Sequence, residues 1–277
     1  MTAAEVDLRL CGRRTRLRIH GDGAPVVLIH GGGLGSSGNV WRAVVPHLAE
    51  AHRVFIPDLI GFGHSSTPDV EDGLPLFIRQ IIELIDVLCL DKPTLVGHSM
   101  GCQIAISIAL QAPERVLALG LLACGGGFVG LTYKSAGHKL LEEVVANPSA
   151  AAVHALVEMV NGVLDDADAE TAERMRWAQN PDHLAAQRHL IAGRQRSGHK
   201  TSAHADINRL PMPILLGWGE CERFNPVELG PQIAARLPRG SRYHLFHGAG
   251  HNIPHDCPAE AAREIIEVAR ARPTTPA

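Results

Sequence analysis

The sequence predicts an α/β fold: a mostly parallel, doubly wound sheet flanked by helices, with a helical segment inserted in the middle of the chain. Three observations predict it. Short runs, apolar throughout and bounded by Gly, Pro or Asp, occur at Val26–Ile29, Val54–Ile56, Thr94–Val96, Val116–Leu122 and Ile214–Leu216, as expected of strands buried on both faces. Helix-like segments separate them. From Leu131 to about Asn208 the alternation stops and the pattern becomes helical.

Taken in order, Arg13, Arg14, Arg16 and Arg18 fall on what reads as an N-terminal strand. Val26–Ile29 is the first strong strand, followed by the glycine loop HGGGLG and a helix over Val40–Ala49. Val54–Ile56 runs into the turn DLIGFGHSS, and Leu76–Leu88 carries an apolar repeat near 3.6 residues. Thr94–Val96 leads through GHSMG into a helix over Gly101–Gln111. Val116–Leu122 ends in ACGGGFVG, whose glycines at 125–127 make an entry hinge for the insertion. The sheet pattern resumes at LPMPILLGWG, followed by a helix over Pro226–Leu237, a last strand RYHLF and a final helix. The RPTTPA tail reads as disordered. The expected organisation is a core over residues 1–129, a helical lid over 130–207 and the rest of the core over 208–277.

With 277 residues, 45% hydrophobic and 20% charged, the chain has material for one sizeable core of a soluble globular protein. A net charge of -3 without a basic run argues against a nucleic-acid partner. No apolar leader or run of membrane-spanning length occurs, so neither a signal peptide nor a membrane partner is expected. The six cysteines are scattered without CxxC spacing and read as reduced core thiols, which suits a cytoplasmic location. The histidines of HGAGHNIPH lack metal-site spacing; no metal and no cofactor is expected. The expected partner is a small-molecule substrate, and a homo-oligomer is compatible with the sequence.

GHSMG, Gly97 to Gly101, has the G-x-S-x-G spacing between a strand and a helix. A serine between glycines can be a plain turn residue. In this context the turn is strained and pushes Ser99 Oγ above the strand end, while the Met100 N–H points from a helix N-terminus toward whatever Ser99 attacks. A serine hydroxyl needs a base, and the base an orienting acid. FHGAGHNIPHDCP holds His247, His251 and His255; His251, on the loop beyond the last strand, is placed to be the base. After PILLGWG, two carboxylates compete for the acid, Glu220 and Glu222. The glycines of HGGGLG leave backbone N–H groups open to an oxyanion.

These motifs, VVLIHGGG, IPDLIGFGHSS, LVGHSMG, ILLGWGECERFNP and GAGHNIP, give the whole chain a resemblance to the α/β-hydrolase superfamily. The resemblance implies the chain order serine, acid, histidine, and the family loop G-x-x-D-x-x-x-P sets Glu222 at the aspartate position. It places the oxyanion donors at Gly32 and Met100, with Gly33 close behind, and makes Asp58 structural rather than catalytic. The alternative acid position, after the strand that follows the nucleophile helix, reads Ala123-Cys124-Gly125 and has no carboxylate. The triple glycine, the helical insertion and GWGECERFNP look more narrowly like the meta-cleavage product hydrolases, cofactor-free enzymes that cleave a C–C bond in vinylogous 1,5-diketo acids. That resemblance places Arg174, with Arg176 as rival, where a substrate carboxylate is bound.

Two positions depart from it. The family commonly carries Asn before the nucleophile and Trp after the catalytic histidine; here those positions are His98 and Asn252. Superfamily ester hydrolases share that pattern, so the sequence ranks hydrolysis of a carboxylic ester, thioester or lactone just ahead of C–C cleavage. A small-molecule receptor on the same fold is the reading from another class, disfavoured by the intact Ser99, His251 and Glu222. A dehalogenase needs a carboxylate where Ser99 stands.

Overall fold

The computed structural model describes residues 3–67, 73–124, 135–163, 166–196 and 202–271. Strands β1 (Ala3–Leu10) and β2 (Arg13–His20) form an antiparallel hairpin, and β2 pairs antiparallel with β4 (His52–Pro57). The remaining strands are β3 (Ala24–Ile29), β5 (Thr94–His98), β6 (Leu119–Leu122), β7 (Ile214–Gly219) and β8 (Arg242–Phe246). Together they make one sheet in the order β1-β2-β4-β3-β5-β6-β7-β8, parallel from β4 onward.

The central strands are apolar because both faces are covered. On one face, α2 (Gly73–Val87) and α3 (Met100–Gln111) pack over Val27, Ile29, Leu95 and Leu121. On the other, α1 (Val45–Leu48) and α10 (Pro258–Arg270) pack over Val26, Leu28, Val96 and Leu122. From β3 the chain passes to β4 on one side, and β5 then returns to the other side of β3. The loops leaving the carboxyl ends of β3 and β5 diverge at this switch point, which is where open α/β sheets form their crevice.

Between β6 and β7 the described residues hold α4 (Ala136–Ala146), α5 (Ala150–Val160), α6 (Ala167–Ala178), α7 (Pro181–Arg196) and a 3-10 stretch, Ser202–Arg209, with no strand. Ser135, Ser149 and Asp166 cap the first three helices through their side chains, each cap contributing about 1 kcal/mol. These helices build a small core of their own from Leu141, Val144, Val153, Leu156 and Val157 around Leu34 and Phe224. The hinge expected at Gly125–Gly127, the 129/130 boundary and the RPTTPA tail lie outside the described residues. No helix of the described residues is long and apolar enough to cross a membrane.

Three elements are shorter than the sequence pattern implies. The helix expected over Val40–Ala49 is a 3-10 turn, Gly38–Trp41, followed by the four-residue α1, because a continuous helix would bury Pro46 in its interior without an N–H to donate. Pro231 acts likewise on the helix expected over Pro226–Leu237, which is reduced to α8 (Leu229–Ala234). The strand expected from Val116 pairs only from Leu119; before it, the Leu117 N–H donates to the Pro93 carbonyl at 3.2 Å. A short α9 (Ile253–Asp256) precedes α10.

Candidate active site

Ser99 is the single residue between the end of β5 and the start of α3, with φ 52° and ψ −114°. A non-glycine residue in that region is strained and persists only when its surroundings fix it. They do so here. The Ser99 N–H donates to the Leu122 carbonyl at 2.9 Å. A Cβ on Gly97 would lie 2.4 Å from the Cys102 nitrogen, and one on Gly101 2.2 Å from the Ile29 carbonyl oxygen. The two glycines of the motif are thus what lets strand, turn and helix close around the serine.

His251 is buried, with Nδ1 2.8 Å from Glu222 Oε2. Glu222 has no exposed side-chain surface, and its Oε1 accepts the N–H groups of Phe224 at 2.8 Å and Asn225 at 3.0 Å. The carboxylate is therefore clamped by its own loop, which accommodates the extra methylene relative to aspartate. Glu220, by contrast, is half-exposed. Its carboxyl is held below the usual range by the Gly248 N–H and by His247, 3.3 Å away, so it serves the turn after β8. Of the two competing acids, Glu222 is the one that reaches His251. Phe224 stacks on the imidazole, with centroids 4.5 Å apart and planes 28° from parallel.

His98 is buried beside this pair. Its Nε2 lies 2.9 Å from the His251 carbonyl oxygen, so Nε2–H is the donor. Burial, reinforced by the nearby His251, pushes its pKa down to about 3. Trp41 meets it edge-on at 6.4 Å.

The glycine loop leaves β3 through His30, whose Nε2 accepts the Leu59 N–H at 2.9 Å while Nδ1–H donates to the Gly31 carbonyl at 2.7 Å. Burial lowers its pKa to about 4. Asp58 is a buried structural acid, bound to Arg18 at 2.6 Å and to the N–H groups of Gly38 and His64. A Cβ on Gly31 would come 3.1 Å from Ser99 Cβ, and one on Gly32 3.2 Å from Met100 Sδ, so the loop lies directly against the serine turn. Gly33 has φ +119°, a conformation suited to glycine. Neither the Gly32 nor the Met100 N–H has a hydrogen-bond partner among the described residues, leaving both available to an oxyanion.

These groups open on a cavity of about 400 Å³. Apolar walls come from Met100, Leu141, Leu156, Val160 and Phe224, and polar ones from Ser36, Asn39, Arg42, Arg174 and Asn252. Arg174 reaches the cavity, while its rival Arg176 is an exposed partner of Glu173. The Arg174 charge is already matched: Nε and Nη2 donate to Glu170 Oε1 at 3.1 and 2.7 Å, and Nη1 to the Leu34 carbonyl at 3.4 Å. Asn252 donates its amide to Asn161 Oδ1 at 2.9 Å, and its own Oδ1 is buried without a partner among the described residues. Sequence reasoning missed Phe224, Asn161 and Asp256; only the proximity of Phe224 to Glu222 and of Asp256 to His251 was available as a signal.

A family model described as alpha/beta hydrolase fold matches residues 24–258. A 2-hydroxy-6-oxononadienedioate/2-hydroxy-6-oxononatrienedioate hydrolase from Comamonas testosteroni is 32% identical over 253 residues, covering 86% of each chain. A 2-hydroxy-6-oxo-6-phenylhexa-2,4-dienoate hydrolase from Burkholderia cepacia is 31% identical over 251 residues, again covering 86% of each. Among solved structures, a 2-hydroxy-6-oxo-6-phenylhexa-2,4-dienoate hydrolase from a Rhodococcus species superposes with a TM-score of 0.87 at 23% identity, over 98% of this chain and 100% of that one, a likeness of fold.

Proposed function

The chain belongs to the alpha/beta hydrolase fold family, and from that premise we propose that it is a C–C bond hydrolase acting on 2-hydroxy-6-oxo-dienoic acids, the vinylogous 1,5-diketo acids of aromatic ring opening. The observation that carries this reading is the likeness to two C–C hydrolases at 31–32% identity over 86% of the chain, with Ser99 and His251 lining one cavity and Glu222 buried behind His251. It moves C–C cleavage ahead of the ester hydrolysis that the sequence alone ranked first.

In this reading Ser99 Oγ attacks the ketone carbonyl carbon and its proton passes to His251, whose Nδ1–H is held by Glu222. The oxyanion is received by the Gly32 and Met100 N–H groups. As the tetrahedral intermediate collapses, the C–C bond breaks, and the departing carbon leaves as a carbanion conjugated with the dienoate. That carbon takes the proton from the His251 imidazolium, and the acyl group stays on Ser99. Water activated by His251 then releases the second carboxylic acid. The helices between β6 and β7 act as a lid that sets acyl size through Leu141 and Leu156, and Arg174 meets the substrate carboxylate in competition with Glu170. Gly33, His98 and Asn252 complete the substrate-facing wall.

Ester hydrolysis remains the second reading, favoured by His98 and Asn252 at the two departing positions. Two panels separate the readings: ring-opened dienoates followed by loss of their visible absorbance, and p-nitrophenyl acetate and butyrate followed by nitrophenol release. Dienoate turnover that exceeds ester turnover and disappears in Ser99→Ala supports C–C cleavage. Ester turnover alone overturns it, and tight binding with background hydrolysis of both panels makes the chain a receptor.

A further inference from the structure

We infer that Asp256 is a positioning residue for His251, locking the loop that carries the base to the segment that follows α5. The Asp256 side chain has no exposed surface, yet no arginine or lysine neutralises it among the described residues. Its carboxylate is spent mainly on the backbone of two segments, one nearby and one distant in sequence. Oδ2 accepts the N–H groups of Gly250 and Gly162, both at 2.8 Å. Oδ1 accepts the Val163 N–H at 3.3 Å and the His255 Nδ1–H at 3.1 Å. Gly250 immediately precedes His251, while Gly162 stands 94 residues before Asp256.

The seam the carboxylate closes is built for backbone contact. A Cβ on Gly162 would lie 2.2 Å from the Gly248 oxygen and 2.4 Å from the Gly250 nitrogen, and a Cβ on Gly219 would lie 2.2 Å from the Gly250 oxygen. On the other side of the base, the Asn252 N–H donates to the Val160 carbonyl at 2.7 Å. The peptides flanking His251 are thereby fixed to the end of α5. Without the carboxylate, the Gly250 and Gly162 N–H groups lose their acceptor, and the loop is free to shift at the scale on which catalytic alignment is lost. A displacement at the α5–α6 junction is transmitted directly to the residue before the base.

The inference rests on the Ser99–His251–Glu222 assignment but on neither substrate class, so its test uses a probe indifferent to substrate. A small fluorophosphonate reacts with Ser99 only where His251 is aligned to take the proton, and the His251 Nδ1–H shared with Glu222 gives a downfield proton NMR resonance. Asp256→Asn keeps the volume and turns an amide N–H₂ toward donors. We expect at least a tenfold fall in the second-order inactivation rate and a shift or loss of the resonance, with cooperative unfolding retained. Gly162→Ala, made in the segment after α5, should produce the same pair of changes, and Asp256→Ser, which adds no bulk and removes the carboxylate, carries the test if either variant does not fold. Val153→Ala, which only opens the core beneath α5, should leave both readouts at the parent values. Parent inactivation rates with an unmoved resonance in Asp256→Asn and Gly162→Ala would overturn the assignment, as would equal losses in Val153→Ala. If the parent itself fails to react with the fluorophosphonate, the Ser99 assignment falls instead.

Discussion

Three buried histidines make the fold sensitive to acid. His30, His98 and His183 have pKa values lowered by burial from 6.5 to about 4, 3 and 4. The unfolded chain binds protons at these sites below about pH 6.5, while the native state resists them until well below pH 5, so the stability they support is present above pH 6.5 and lost as pH falls. Each site contributes a slope of about 1.4 kcal/mol per pH unit within its window, so lowering the pH from 7 to 5 removes about 2 kcal/mol per histidine and about 5 to 6 kcal/mol in all. His20 and His52, also lowered by burial, act in the same direction. His255 opposes them: its pKa is raised by the hydrogen bond to Asp256, so its contribution is present at low pH and lost as pH rises. Against a typical domain stability of about 5 to 15 kcal/mol, the net loss is large. Urea unfolding followed by circular dichroism at pH 7 and pH 5 measures it, and His183→Gln should shrink the difference by about 2 kcal/mol. Equal unfolding free energies at the two pH values, or an unchanged pH dependence in His183→Gln, would refute the reasoning.

Other outcomes follow from the same geometry. Glu222→Gln, which keeps the two loop hydrogen bonds but removes the charge facing His251, should lower kcat by about 10³ to 10⁴ in steady-state assays while leaving cavity ligands bound. Glu222→Asp should recover only part of that activity, because the shortened carboxylate cannot meet both the loop amides and His251. Gly101→Ala drives a Cβ to 2.2 Å from the Ile29 oxygen and should cost about 3 kcal/mol or prevent folding, read from thermal unfolding. Glu170→Gln releases Arg174 from its present partner and should tighten binding of a carboxylate-bearing substrate, seen as a lower KM for the acid but not for its methyl ester.

What the sequence reveals and conceals divides along physical lines. The strands at Val26–Ile29 and Thr94–Val96 are legible because burial on both faces leaves no charged residue to break the run, and Thr94 is β-branched. The serine turn is legible because only glycines fit at 97 and 101. Helix ends are less so: the run over Val40–Ala49 has a helical apolar pattern, and its break comes from the missing N–H of Pro46, which periodicity does not weigh. The choice between Glu220 and Glu222 could not be made from residue type, since both are carboxylates on one loop, and family spacing supplied it. Asp256 was hidden for another reason. Three of its four partners are backbone N–H groups, of Gly250 nearby and of Gly162 and Val163 far away in sequence, and a backbone contact leaves no side-chain signature. Arg174 shows the reverse, a residue legible by position whose charge is already met by Glu170, four residues before it on α6.

The loop that holds Glu222 also bears on how this chain could have changed over time. Its carboxylate is fastened by the amides of Phe224 and Asn225, two and three residues along the same loop. A glutamate reaches both those amides and His251; an aspartate, shorter by about 1.5 Å, would need the loop itself brought forward. Residue 222 and the shape of its loop are therefore a linked pair of characters. Aspartate at residue 222 alone leaves the carboxylate short of one of its partners, and it fits here only together with a reshaped loop.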